Sequence, residues 1–191
     1  MIVFRSAAEA KAQLHLEIPN LATAEWRIQS PYDDNYQCIA WAACRTDRMW
    51  WPWDNTRFYW PPGFAKLPTL SPVPVENFAA VFERMFGYRN CPGPEFELGY
   101  QKIAIYANGM AGVTHIARQR LLGRRWLSKL GSEEDIVHDT LADVGGTSYG
   151  AAVHYMKRSW WTAFAKLCLF RHWWATLKFR IYRAVVPWDL S

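Results

Sequence analysis

Cysteine is scarce and poorly spaced for cross-linking. The 191 residues hold four, Cys38, Cys44, Cys91 and Cys168, and no CxxC pair. That spacing argues against both a disulfide framework and a zinc ribbon. Neither GxxxxGK[ST] nor GxGxxG is present, so a nucleotide enzyme is not expected. No uncharged apolar run approaches the roughly 18 residues that a spanning helix needs. Arg5, Glu9 and Lys11 break up the first apolar residues, so no signal-like start is read. A cytoplasmic, reducing compartment is the default expectation, with export as an effector the alternative. There is no internal repeat. No cofactor is expected, and Cys38, His115 and His138 lack the dense spacing of a metal site.

Basic charge is also missing from most of the chain. Of the net +5, Lys166, Arg171, Lys178, Arg180 and Arg183 against Asp189 leave +4 on residues 159–191 and +1 on the rest. A near-neutral main body disfavours nucleic acid as a partner.

What the chain has in excess is apolar and aromatic material. Hydrophobic residues make up 51%, and 12 are tryptophan. That is ample for a folded core. Each indole wants a partner for its N–H, so many should lie at element edges, grooves or interfaces. Pro52, Pro61, Pro62, Pro68, Pro72 and Pro74 interrupt the Trp-rich stretch from Thr46 to Pro74. An ordered loop pinned by aromatic rings is expected there, able to line a cleft but more simply a packed loop.

Helices come first along the chain. Ser6 to Leu16 has helical character. CIAWAAC, Cys38 to Cys44, is apolar on every side and fits either a buried strand or a buried helix. Its alanines, and the cap residues Asp33, Asp34 and Asn35 upstream, favour a short central helix with Asn35 as N-cap. Val75 to Phe86 reads as an amphipathic helix stopped by Gly87. Strands follow at 102–107, 114–119, 125–130, 136–140 and 151–157, with an Asn108-Gly109 turn. Helices followed by an antiparallel meander imply an α+β fold over residues 1–158. Residues 159–191 form an added aromatic, basic segment. A helix over roughly 159–177 is expected to pack on the domain. Its Trp160, Trp161, Trp173 and Trp174 are the candidate membrane or protein contacts.

Cys38 is the candidate nucleophile. A thiol attacks as thiolate, and a helix N-terminus lowers its pKa. The Cys38 backbone N–H, without an acceptor inside the helix, is a ready oxyanion donor. Gln37 could add a side-chain donor. His115, at a strand start after GMAGVT, is the candidate base, since cysteine hydrolases set such a pair across a helix and a sheet. Ser128 and Lys129 face it on the next strand, and His138 follows as the group to orient it. Asn35, Ser128 and Trp41 join Gln37 as candidate oxyanion or substrate contacts. The plain alternative is that a free cysteine in an apolar stretch is a small buried hydrophobe, which is the reading for Cys44, Cys91 and Cys168.

NYQCIAWAA resembles the nucleophile segment of papain-like and NlpC-type cysteine peptidases and amidases. THIARQ, RWLSKLG and DIVHD resemble their histidine strand and the strands after it. The longer string, which adds WWPW, YWPPG, EEDIVHD and SYG over residues 18–158, is similar to a family of uncharacterised bacterial proteins. The resemblance implies a papain-like, NlpC-type fold, with a Cys-bearing central helix packed on an antiparallel sheet. It implies a cysteine hydrolase cleaving a peptide, isopeptide or peptidoglycan-type amide through Cys38, His115 and His138. The oxyanion glutamine of papain-like enzymes, several residues before the cysteine, has no match, since position 32 is Tyr32. Two other readings stand beside this one. One is a non-catalytic binding or interaction protein on the same fold. The other is a bacterial effector or toxin whose tail contacts a membrane or partner.

Overall fold

The computed structural model describes residues 6–165. Over these described residues the fold is α+β, with four helices and a seven-stranded antiparallel sheet. Helix α1 is Ala7–Glu17, opened by a capping box between Ser6 and Glu9. Strand β1 is Trp26–Ser30, and α2 is the five-residue helix Cys38–Ala42. Helix α3, Val75–Phe86, buries Phe78, Val81, Phe82 and Phe86 and ends on Gly87, whose left-handed φ of 69° suits a residue without a side chain. The strands β2 (Arg89–Asn90), β3 (Tyr100–Asn108), β4 (Gly112–Gln119), β5 (Trp126–Lys129), β6 (Asp135–His138) and β7 (Ala151–Ser159) complete the sheet. Helix α4 is Trp160–Ala165.

The order across the sheet is β1-β6-β5-β4-β3-β7-β2. Strands β3 to β6 form the meander that the alternating pattern implies. Strand β7 then returns to the far side of β3, and β1 closes the opposite flank against β6. Two apolar cores follow from the alternation of side chains across the strands. One face carries Ile103, Ile105, Ile116, Leu127 and Val137 and is covered by α2, α3 and the Trp-Pro loop. The other carries Ala104, Tyr106, Ala117, Trp126 and Ile136 and is covered by α1 and the short helical turns Pro19–Ala22 and Leu141–Val144.

The Trp-Pro stretch is packed rather than open. Trp51 and Trp60 meet Phe78 at 5.5 and 5.4 Å between ring centroids, both edge-on. Edge-to-face contacts of this kind favour an ordered loop over a linker.

The start of α2 differs from the sequence expectation. Gln37, not Asn35, is the N-cap, and Cys38 is therefore the first residue of the helix. Asn35 is drawn away by Asp33, whose Oδ1 accepts from the Asn35 N–H at 2.9 Å and its side-chain amide at 2.7 Å. Gln37 Oε1 accepts from Ala40 N at 3.3 Å and Trp50 N at 3.2 Å, and its amide donates to Trp50 O. One side chain thus ties the helix start to the aromatic loop. Gln37→Ala should lower stability by about 1–2 kcal/mol, a cap plus an unsatisfied loop amide. Urea unfolding measures this, and an unchanged midpoint would show that the tie carries no weight.

Strand β7 runs into α4 without a break. Trp160 N donates to Gly99 O at 2.9 Å, and Ala163 is buried. Trp160 is half-buried, while Trp161 is 85% exposed. Trp173, Trp174 and the rest of the expected C-terminal helix lie outside the described residues. Among the described residues no helix is long and apolar enough to cross a membrane.

Candidate active site

The strands bring His115, Ser128 and His138 into one buried line. Each is fully enclosed. His115 Nε2 lies 2.9 Å from Ser128 Oγ, which lies 2.9 Å from His138 Nε2. His138 Nδ1 lies 2.7 Å from the Thr140 carbonyl oxygen.

The chemistry of each partner fixes where the hydrogens sit. A carbonyl oxygen only accepts, so His138 Nδ1 carries the hydrogen. Burial holds His138 below its ordinary pKa against the Thr140 carbonyl, Asp143 and Asp139, so the ring is neutral at pH 7. Its Nε2 is then a lone pair, and the Ser128 hydroxyl must donate to it. Ser128 has one hydrogen, so its oxygen accepts from His115 Nε2. His115 therefore holds its hydrogen on Nε2 and a lone pair on Nδ1. That Nδ1 is buried and makes no hydrogen bond. Burial, and then the neighbouring His138, bring the His115 pKa down to about 3.

The outer end of the line is braced. Asp143 accepts from Thr140 N at 2.8 Å and Thr140 Oγ1 at 2.5 Å, and its Oδ2 lies 3.9 Å from His138 Nδ1. This cap holds the Thr140 carbonyl on the imidazole. At the inner end the Tyr149 ring stacks on His115, with centroids 4.5 Å apart and planes 28° apart. Tyr106 meets His115 edge-on at 5.3 Å.

Cys38 belongs to the opposite core. It packs with α2, Trp41 and Ile116, whereas Tyr106, Trp126 and Ile136 mark the face of the imidazole line. Strands β4 and β5 pair only at Arg118↔Leu127 and Gln119↔Trp126. Toward His115 they no longer pair, and the Ile116 N–H lies near enough to the Cys38 sulfur to favour its anion. The sulfur thus reaches the sheet one residue from His115, but no hydrogen bond joins it to that ring.

The thiol is not activated in this state. Cys38 is 4% exposed. Burial pushes its pKa up to about 11, against the Ile116 and Ile39 N–H groups, the Lys129 charge and its own N–H. A helix-start cysteine is expected to shift the other way. The physical reason for the difference is scale: a five-residue helix has little dipole to offer, and desolvation of a thiolate is the larger effect.

The remaining sequence candidates occupy structural places. Gln37 is spent on the helix cap and Trp50. Asn35 is held by Asp33 in the approach to α2. Trp41 is buried, with the Arg118 guanidinium 4.0 Å over its ring, and its carbonyl accepts from Arg118 at 3.3 Å. Ser128, expected near the oxyanion, is the link between the two histidines. Cys44 is more than an apolar filler: its sulfur accepts from Arg118 at 3.0 Å and lies 3.7 Å from Arg158.

Tyr149, Thr140 and Asp143 escaped the sequence reading. SYG had been marked as part of the longer string, yet nothing in it says that the tyrosine stacks on a histidine. Among the described residues no three His, Cys, Asp or Glu side chains gather as a metal-binding group.

Residues 27–157 match a family described as a domain of unknown function (DUF7689). No curated protein and no solved structure matches the chain. The match spans β1 to β7 and so holds the whole of the site.

Proposed function

We propose, from the premise that the chain belongs to the DUF7689 family of domains of unknown function, that it is a cysteine hydrolase of papain-like, NlpC-type build. The substrate class is an amide of peptide, isopeptide or peptidoglycan type. One observation carries the reading: the chain Thr140–His138–Ser128–His115 leaves a buried imidazole lone pair on Nδ1, next along the strand from Ile116, whose N–H favours the Cys38 anion. A general base needs that tautomer.

In this mechanism the sulfur and the ring meet where β4 and β5 stop pairing. His115 Nδ1 takes the thiol proton as Cys38 Sγ bonds to the carbonyl carbon. The Cys38 N–H faces the oxyanion. The imidazolium passes its proton to the leaving amine, and a thioester forms. Water, deprotonated by the same nitrogen, cleaves the thioester and returns the thiol. His138 and Ser128 position His115 throughout and touch no reacting atom.

A second reading has its own support. Cys38 and His115 are both enclosed, both neutral, and on different faces of the sheet. That arrangement suits a binding or interaction protein with a polar core. In that reading the exposed Trp161 is a contact residue, in line with the membrane or partner role proposed for Trp160, Trp161, Trp173 and Trp174.

Acyl release from p-nitrophenyl acetate and from a peptide amide separates the two. Cys38→Ala should abolish release, a loss of about a thousandfold or more. Release that persists in Cys38→Ala would end the hydrolase reading. The alanine variant should keep the native unfolding midpoint within about 1–2 kcal/mol.

A further inference from the structure

We propose that Tyr149 is the gate of this site, a ring that closes His115 in the resting protein and must swing away before a substrate meets the imidazole. The proposal rests on the hydrolase reading for its purpose, but not for its geometry.

The ring is placed as a cover. It lies flat on His115 at 4.5 Å, on the side of the sheet away from α2. With Tyr106 edge-on at 5.3 Å, it completes the enclosure of an imidazole that has no exposed surface. Tyr149 itself is half-buried, in a loop whose Gly146 and Thr147 are exposed. It is the boundary between water and the base.

The backbone around Tyr149 is built to move as a unit. Gly146 and Gly150 exchange two hydrogen bonds, 2.8 and 2.7 Å, and so pinch off the loop Gly146–Thr147–Ser148–Tyr149–Gly150. Gly150 has a φ of +73°, and a Cβ there would lie 2.2 Å from the Ala107 carbonyl oxygen. Only glycine lets the chain pass so close to β3 while turning into β7. Gly145, just before the pinch, is a second pivot without a side chain. Between the pivots, few ties hold the loop down. Thr114 Oγ1 donates to Tyr149 O at 2.5 Å, and Ser148 Oγ donates to Glu17 O. Two hydroxyl bonds and one stacked ring are a small latch, of the size that local opening breaks without unfolding the domain.

Movement of the ring uncovers the flat face of His115 and admits water to a site that burial keeps neutral. Substrate that enters takes the place of the tyrosine ring. The enclosed imidazole then describes the closed state of this face of the site, not its working state.

Carbethoxylation with diethyl pyrocarbonate, followed by peptide mapping, tests the gate directly. The half-buried His154, whose Nε2 lies 3.0 Å from Asn90 Oδ1, serves as the reference on the same chain. In Tyr149→Ala the His115 rate should rise about tenfold relative to His154, the factor that corresponds to losing one stacked ring pair. Tyr149→Phe keeps the stack and should match the native rate. Ser148→Ala, which frees the loop from Glu17 and leaves the ring intact, should fall between them and carries the test if the alanine variant fails to fold. A His115 rate that stays native in the variants overturns the gate. So does a rise shared equally by His138, since that marks general loosening. If His115 becomes accessible while neither protein releases p-nitrophenol, the gate stands and the hydrolase reading fails.

Discussion

Acidification from pH 7 to pH 4 should remove roughly 3 kcal/mol of stability through His115 alone. The sign follows from where the protons go. In the unfolded chain His115 binds a proton near its ordinary pKa of 6.5, whereas in the folded protein burial delays this until about 3. Between those values the unfolded state holds more protons, so stability falls as pH falls. The effect begins below about pH 6.5 and is complete near pH 3. His138 is shifted in the same direction by its own burial and adds to the loss. Asp135 is opposite in sign, because burial raises its pKa and acid relieves a buried charge. The experiment is therefore a comparison. Thermal unfolding midpoints from pH 7 to pH 4 should fall steeply in the native protein and less steeply in His115→Gln. Parallel slopes in the two proteins would rule out a buried neutral His115.

Ser128→Ala should be the most damaging single-atom deletion in the site. The hydroxyl is the hydrogen-bond partner of two imidazole nitrogens, His115 Nε2 and His138 Nε2, each at 2.9 Å. Its loss strands a donor on one ring and an acceptor on the other, both without water. Two unsatisfied buried groups cost about 2–4 kcal/mol together. The chemical effect is separate from the stability effect. Without the hydroxyl nothing transmits the Thr140 carbonyl's choice of tautomer to His115, so Nδ1 is no longer held as a lone pair. Long-range nitrogen–proton NMR correlations should show one His115 tautomer in the native protein and a mixture in the variant. A single unchanged tautomer in Ser128→Ala would mean that the line of hydrogen bonds does not set it.

The sheet was largely legible because its signals are local. Lys102–Ala107 is made of strand formers, and Asn108-Gly109 turns it toward Thr114–Gln119, so β3 and β4 follow from a short window. Strand β1 was not legible. Trp26–Ser30 is an edge strand whose partner is Ile136 and its neighbours, far along the chain, and nothing near it announces that pairing. The cap of α2 was misread for a related reason. Asn35 is the better cap in isolation, but Asp33 competes for it, and Gln37 is recruited by Trp50 from a loop that sequence cannot place. The same limit applies to the site. Individual residues could be nominated, and His138 and Ser128 were. Their order could not, since it depends on the register in which β5 meets both neighbours. The stack of Tyr149 on His115 depends on β7 crossing to the far side of β3, which no local pattern contains.

That crossing has a consequence for how the molecule comes into being. His115 precedes the segment that bears Tyr149, and the far end of the loop is set when Ala151 pairs with Ala107. A chain growing from the ribosome therefore carries His115 before the ring that covers it exists. Long-range pairings of this kind form late. The interval before β7 docks is the period in the protein's life when the His115 imidazole is most open to electrophiles.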